Sequence, residues 1–452
     1  MISTSAVDAY IEKHTQRFVD ELKELCSFPS ISNHGRDAIQ PARDWLAEKL
    51  GRFTDRVETL EAGGMPALYA EVKGAGRRKL LLYEHYDVQP VDPIELWESP
   101  PFEPAEKDGR IIARGVADDK ADVMARIHAL ETLKQLGEVP VTLRFLVEGE
   151  EEIGSQTFEK IIHDHAEKLR ADGCLWESGS SFDDAGRPTL QFGCRGLLYV
   201  SLRVKLLDFD QHSGFASIYP SAAMYLVGAL ASLRDQHMNI KIDGFYDAVV
   251  NPTETDRRMM STIDPEIEKR RKLVGFERMV RDPKPDQVIE QMLFLPTCNI
   301  AGITTGYQGP GSKTVLPAEA TAKVDFRLIP NQDPNDILEK LRKHLDRNGF
   351  EKVGVEGGGE KPSRSDPSSA VGRSVIDTVR EMYGEPVLWP FMPATGPMHP
   401  VVADLGIPTV LPVGVGRPDN RIHAPNENIR VADYINTIRL MCRVWERFGE
   451  GR

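Results

Sequence analysis

LLLYEHYDVQP, residues 80–90, begins as an apolar run and ends in a histidine and an aspartate two positions apart. Leu80 to Tyr83 read as a buried strand. At a period of two, His85 and Asp87 point to the same side beyond its end. A histidine there can bind a metal while a nearby carboxylate orients it. Taken alone, the pair reads equally well as a polar strand end.

The same alternation extends outward. Ala67 to Val72, Val141 to Val147 and Cys174 to Trp176 read as further strands. A first amphipathic helix carries Val7, Tyr10, Ile11, Phe18, Leu22 and Leu25, and Pro29 closes it. A second carries Trp45, Leu46 and Leu50, with Gly51 at its end. Strands alternating with helices predict an α/β domain, its sheet mostly parallel and its helices on both faces.

The character changes near Arg195–Gly196. Leu198 to Leu206 and Ala320 to Leu328 alternate as half-buried strands, and helices are expected from about 219 to 234 and 336 to 348. The stretch from about 250 to 292 is charged and helix-rich. GVEGGGEKPSRSDPSS, from Gly354 to Ser369, reads as the linker closing this block. The α/β pattern then resumes with a helix from Val371, a strand at Thr409 to Leu411 and a last helix from Val431. The expected organisation is an α+β domain at 196–361 inserted between the two parts of the α/β domain, 1–195 and 362–452.

The net charge of −13 leaves no basic excess to neutralise phosphates, which argues against a nucleic-acid partner. Five cysteines (Cys26, Cys174, Cys194, Cys298 and Cys442) form no CxxC pair and are odd in number, so a disulfide framework or a thiolate metal site is not expected. The polar start and the lack of a long uncharged apolar stretch predict no membrane span and a cytoplasmic protein.

Four more polar clusters follow strand-like elements. RGVADDKAD, residues 114–122, sets two acids side by side, which repel unless a cation or solvent intervenes. LVEGEEEIGS, residues 146–155, puts three acids after a buried strand, with a helix expected from Gly154–Ser155. DGCLWESGS, residues 172–180, places Glu177 past a short strand, and RIHAPNENI, residues 421–429, places His423 after a glycine-rich loop. Each alone reads more simply as a solvated turn. Together they put His, Asp, Glu, Glu and His at strand ends, where open α/β sheets carry their sites. Oxygen and nitrogen donors without sulfur suit zinc, manganese or cobalt.

At these residues the chain resembles the co-catalytic metallopeptidase family that contains carnosine dipeptidases, aminoacylases, glutamate carboxypeptidases and bacterial deacylases of amino-acid metabolism. The resemblance covers nearly the whole chain, and YEHYDVQP looks like the dipeptidase-type signature. It implies that His85 and Glu177 bind one metal, that Asp87 orients His85, and that Asp118 bridges to a second metal held by Glu152 and His423. It implies a cis Asp118–Asp119 peptide and Glu151 as general base. The inserted block resembles the family's lid, which also dimerises. There His212, in an HSG match, is expected to polarise the scissile carbonyl, in many relatives from the partner subunit. Asn299, Thr314 and Arg327 match lid residues that contact substrate, Arg327 binding its carboxylate. Thr395 and Gly396 of ATGPMHP lie where relatives hold the substrate with a turn.

The resemblance thus implies a homodimeric enzyme with two divalent ions, zinc foremost with manganese or cobalt as alternatives. Its reaction would be cleavage of dipeptides or short peptides beside a free C-terminal carboxylate. An amidohydrolase of N-acyl or N-carbamoyl amino acids is the second reading. A metal-binding scaffold without turnover is the third, and the complete ligand set with Glu151 argues against it. Two positions depart from the family pattern: Glu84 and Ala121 each replace a usual glycine. The charge of Glu84 is expected to alter metal choice or to disfavour a nearby acidic group. His128, His163, His165, His237 and His344 read as surface or satisfied structural histidines, and GYQGPGS and GVGR as turns without the phosphate-loop pattern.

Overall fold

The computed structural model describes residues 2–451. It divides into two compact units: one comprises the chain up to Gly193, Arg364–Pro390 and the chain from Pro400 on, the other Cys194–Ser363 and Phe391–His399.

The first unit is built on six strands: β1 (Val57–Leu60), β2 (Ala67–Val72), β3 (Lys79–His85), β4 (Thr142–Glu148), β5 (Gly173–Leu175) and β6 (Thr409–Val410). Their order is β1-β2-β4-β3-β5-β6. β4, β3, β5 and β6 pair in parallel, and β2 runs opposite to both its neighbours. Parallel strands are covered on both faces, and β3 and β4 are accordingly buried at nearly every position.

Five long helices accompany this sheet: α1 (Thr4–Cys26), α2 (Arg36–Gly51), α3 (Ala121–Leu136), α4 (Ala370–Tyr383) and α5 (Val431–Glu450). α3 is buried almost all round, as a helix enclosed between layers must be. On one side its Arg126 reaches the Tyr83 carbonyl of β3. On the other its His128 bonds Glu21 of α1 at 2.9 Å and Tyr434 of α5 at 2.7 Å. The other face of β3 presents Tyr83, which stacks on Trp176 and meets Phe158, of the helix Phe158–Asp164, edge-on. Helices thus lie on both faces of the sheet. That last helix starts later than the sequence suggests: a turn at Glu151–Ile153 is closed by Gly154 at φ 87°.

The second unit is α+β. Four antiparallel strands lie in the order Asn299–Thr305, Glu319–Leu328, Gly196–Lys205 and Gly354–Glu360. Leu198, Val200, Leu202 and Val204 alternate into a core shared with Ala320 to Leu328 and with the helices Ala222–Ser232 and Pro334–Arg347. The glycine run expected to be a linker is instead a sheet strand. A Cβ at Gly359 would lie 1.8 Å from the Leu197 carbonyl oxygen, so the neighbouring backbone approaches closer than any side chain permits. A second difference concerns 391–399, expected with the α/β domain. It belongs to the second unit, where Ala394 O accepts from Arg195 N at 2.9 Å.

All five cysteines are buried and unpaired. Among the described residues no helix is long and apolar enough to cross a membrane.

Candidate metal centre

β3 ends at His85, and the chain then leaves the sheet. His85 Nδ1 donates to the Asp87 carbonyl at 3.1 Å and faces an Asp87 carboxylate oxygen at 3.4 Å. Nε2 is thereby the nitrogen available to a cation. The Asp87 carboxylate also accepts the amides of Glu151 at 3.3 Å and Glu152 at 3.1 Å, fixing the acidic turn after β4 against the end of β3.

Asp118 sits between two histidines. Its Oδ1 lies 3.0 Å from His85 Nε2 and its Oδ2 3.0 Å from His423 Nε2. Glu177 Oε2 lies 3.5 Å from His85 Nε2, and Glu152 Oε2 lies 3.2 Å from His423 Nε2. The ligand atoms of His85, Asp119 and Glu177 lie within 4.8 Å of one another, as do those of Asp118, Glu152 and His423. The five residues singled out as ligands are therefore brought together in one unit. Asp119 is an addition that the sequence reading passed over; its Oδ2 accepts the His85 amide at 3.2 Å. The Asp118–Asp119 peptide is cis.

The donor set fits divalent cations. It holds nitrogen and oxygen atoms only, and Glu177 Oε2 is buried without a hydrogen-bond donor. The titration of these groups points the same way. Burial opposes a charged His85, yet hydrogen bonds to Asp118 and Asp87 hold it well above the imidazole range. Hydrogen bonds to Asp118 and Glu152 push His423 up to about 10. Burial and the neighbouring Glu151 push Glu177 well above the carboxylate range. Protons here offset a concentration of buried negative charge, the function a metal serves by displacing them. Glu151 is pushed up to about 7, first by burial, with His85 opposing and Asp118 and Glu152 reinforcing.

The loops carrying these groups are held by residues that the sequence reading did not single out. Glu427 accepts the amides of Gly115 at 2.9 Å, Ala117 at 2.8 Å and Asp118 at 3.1 Å, and pairs with buried Arg114 at 2.7 Å. His423 itself has φ 61°, and Asn426, at φ 64°, ties its loop to Glu98 N at 2.7 Å and Leu96 O at 3.0 Å. Glu84 departs from the expectation of a free charge beside the metals. It is buried and ion-paired with Arg126. A third acid–histidine group, Glu159, His163 and Asp404, is exposed, in keeping with a surface His163.

The remaining candidates lie in the second unit. Arg327 Nη1 donates to Thr395 Oγ1 at 2.7 Å, and the Gly396 carbonyl accepts from Cys194 Sγ at 3.5 Å. The exposed His212 accepts from Gly214 N at 3.0 Å, and Ser213 N donates to the Thr314 carbonyl at 3.2 Å. Asn299, on the strand beside that of Arg327, donates to Asp325 at 2.8 Å.

The profile of Peptidase family M20/M25/M40 matches residues 81–447, and the chain belongs to that family. It is similar to a Beta-Ala-His dipeptidase of Rattus norvegicus, 28% identical over 96% of this chain and 93% of the relative. It is also similar to a Cys-Gly metallodipeptidase of Schizosaccharomyces pombe, 27% identical over 96% of this chain and 95% of the relative. Among solved structures, an M20 family metallo-carboxypeptidase from Sulfolobus solfataricus superposes with a TM-score of 0.89 at 37% identity, covering 96% of this chain and 99% of that one. Human carnosine dipeptidase 1 gives a TM-score of 0.77 at 26% identity, covering 99% of this chain and all (100%) of the other.

Proposed function

We propose that this chain is a metallodipeptidase: it hydrolyses the peptide bond of dipeptides or short peptides beside a free C-terminal carboxylate. The observation that carries the reading is Asp118, one carboxylate whose two oxygens face two histidine-and-acid ligand groups. His85 and Glu177 would hold one ion and Glu152 and His423 the other, with Asp118 available to both. Zinc suits these donors, with manganese and cobalt as rivals. When bound, such ions would supply Lewis-acid chemistry and lower the pKa of a water.

The chain's own residues do the rest. Glu151 accepts a proton from the attacking water and returns it to the leaving amine, a task suited to a carboxyl pushed up to about 7 by burial. Asp87 holds His85 in the tautomer that offers Nε2. Arg327, beside Thr395, presents a planar fork that matches a carboxylate with two hydrogen bonds. His212 polarises the carbonyl, and Asn299, Thr314 and Gly396 complete substrate contact. The relatives named for dipeptide and carboxypeptidase substrates support this choice of bond.

We further propose a cytoplasmic homodimer. Five unpaired thiols suit a reducing compartment. In the second unit, Met224, Val227 and Ile303 are exposed apolar side chains, and Asn299–Thr305 is a sheet edge, features that favour pairing of copies.

The test is hydrolysis of a panel of dipeptides, N-acetyl and N-carbamoyl amino acids by metal-stripped protein resupplied with zinc, manganese or cobalt, with products read by mass spectrometry. Metal-dependent dipeptide cleavage is expected. Cleavage of acyl or carbamoyl amino acids alone assigns the chain to amidohydrolysis. Bound metal with no cleavage of any substrate rejects the peptidase reading.

A further inference from the structure

We infer that Arg126 and Glu84 form a positioning pair that sets the spacing of His85 and Glu177, and with it the strength of the metal subsite to which those two residues belong. The inference rests on the metal-centre reading above.

β3 and β5 pair in parallel only through Leu80↔Gly173, Leu81↔Cys174 and Leu82↔Leu175. Beyond that point no backbone ladder ties the two chains, yet His85 lies three residues past Leu82 and Glu177 two past Leu175. The guanidinium of Arg126 spans this gap. Its Nη1 donates to the Tyr83 carbonyl at 3.1 Å and the Leu175 carbonyl at 2.9 Å, and its Nη2 donates to the Trp176 carbonyl. Tyr83 is two residues before His85, and Trp176 immediately precedes Glu177. One rigid planar group thus holds both ligand-bearing segments.

A buried guanidinium cannot shed its charge, so it requires a partner. Glu84 is that partner, in contact with Arg126 Nε. Glu84 directly precedes His85, whose amide donates to Asp119 Oδ2 at 3.2 Å. The pair therefore touches the two segments that carry His85 and Glu177, and Asp119 is tied to the first of them through the His85 amide. The Asp118–Glu152–His423 group has no bond to Arg126. Where the family pattern has a glycine before the histidine, this chain has a carboxylate matched to an arginine on α3.

The experiment is a metal titration of stripped full-length protein, by calorimetry and by equilibrium dialysis with metal analysis, using zinc alone and cobalt alone. Two variants are compared with the wild type. Arg126→Lys keeps a charge for Glu84 but cannot reach three carbonyls. The double variant Glu84→Gln with Arg126→Met removes both charges together, so no buried charge is left unpaired. Each is first checked for wild-type circular dichroism. The expected result is that one ion binds within about threefold of wild type while the other binds at least about tenfold more weakly, with a changed visible spectrum for the cobalt form. Two ions bound with wild-type affinity in either folded variant, or both ions weakened equally, overturns the inference. A wild-type chain that takes up no ion overturns the metal-centre reading itself.

Discussion

Glu427 accepts the backbone amide of Asp118 at 3.1 Å across 309 residues of chain. The same carboxylate takes the amides of Gly115 and Ala117 and the guanidinium of Arg114. The loop that presents Asp118 to both histidines is therefore shaped by a residue four positions after His423. Glu427→Gln keeps the volume but turns an NH2 toward donors. We expect metal affinity to fall about 10- to 100-fold, the usual effect of losing a group that orients a ligand. Metal titration checks this, and an unchanged affinity rejects the role.

Glu151→Gln should abolish turnover, by about 100- to 10,000-fold in kcat, while both ions still bind. Glu151 belongs to neither of the ligand groups around Asp118. Full activity in this variant removes Glu151 as the base. Loss of metal with loss of activity makes it a ligand.

Arg327→Lys separates carboxylate recognition from chemistry. A point charge replaces the fork that meets Thr395, so kcat/KM for free dipeptides should drop by at least about 10-fold, mostly through KM. Dipeptide amides, which lack the carboxylate, should be cleaved equally by both proteins. An equal loss on amides contradicts the assignment.

The buried His128 predicts a pH effect on stability. Burial holds its pKa below the ordinary value of 6.5, with Glu21 opposing. A group depressed in the folded state contributes stability that is present above its unfolded pKa and lost as pH falls from there. His128→Gln should lower the thermal midpoint near pH 7.5, because the bonds to Glu21 and Tyr434 are disturbed. The deficit should shrink as pH falls below about 6.5. A deficit constant from pH 7.5 to 5.5 excludes this titration.

Gly359→Ala should destabilise the second unit by about 1–3 kcal/mol or more, because its Cβ would meet the Leu197 carbonyl oxygen at 1.8 Å. Gly358→Ala is the control: its Cβ has no neighbour within 4 Å, and the change should be nearly neutral. Thermal unfolding of the two variants decides, and equal effects refute the close-approach argument.

Much of the fold was legible because local pattern and burial agreed. The period-two runs at 198–206 and 320–328 are strands whose inward residues form one core, and the long amphipathic segments are helices. GVEGGGE was misread because glycine has no side chain to carry a period, so a strand that needs bare backbone is indistinguishable from a flexible linker. Segment 391–399 was misassigned for a related reason: its membership is decided by bonds to Arg195 and Arg327, remote in sequence.

For the site, the sequence by itself supplied the candidate donors. His85, Asp118, Glu152, Glu177 and His423 were readable as polar residues placed just beyond apolar strands or loops. Tertiary structure decided what surrounds them. Glu427, Arg114, Arg126 and the neutralised Glu84 act through contacts between segments tens to hundreds of residues apart. Metal-binding chemistry is a property of side-chain type and can be read one residue at a time. The balance of buried charge that holds those side chains in place depends on distance in space, which no local pattern encodes.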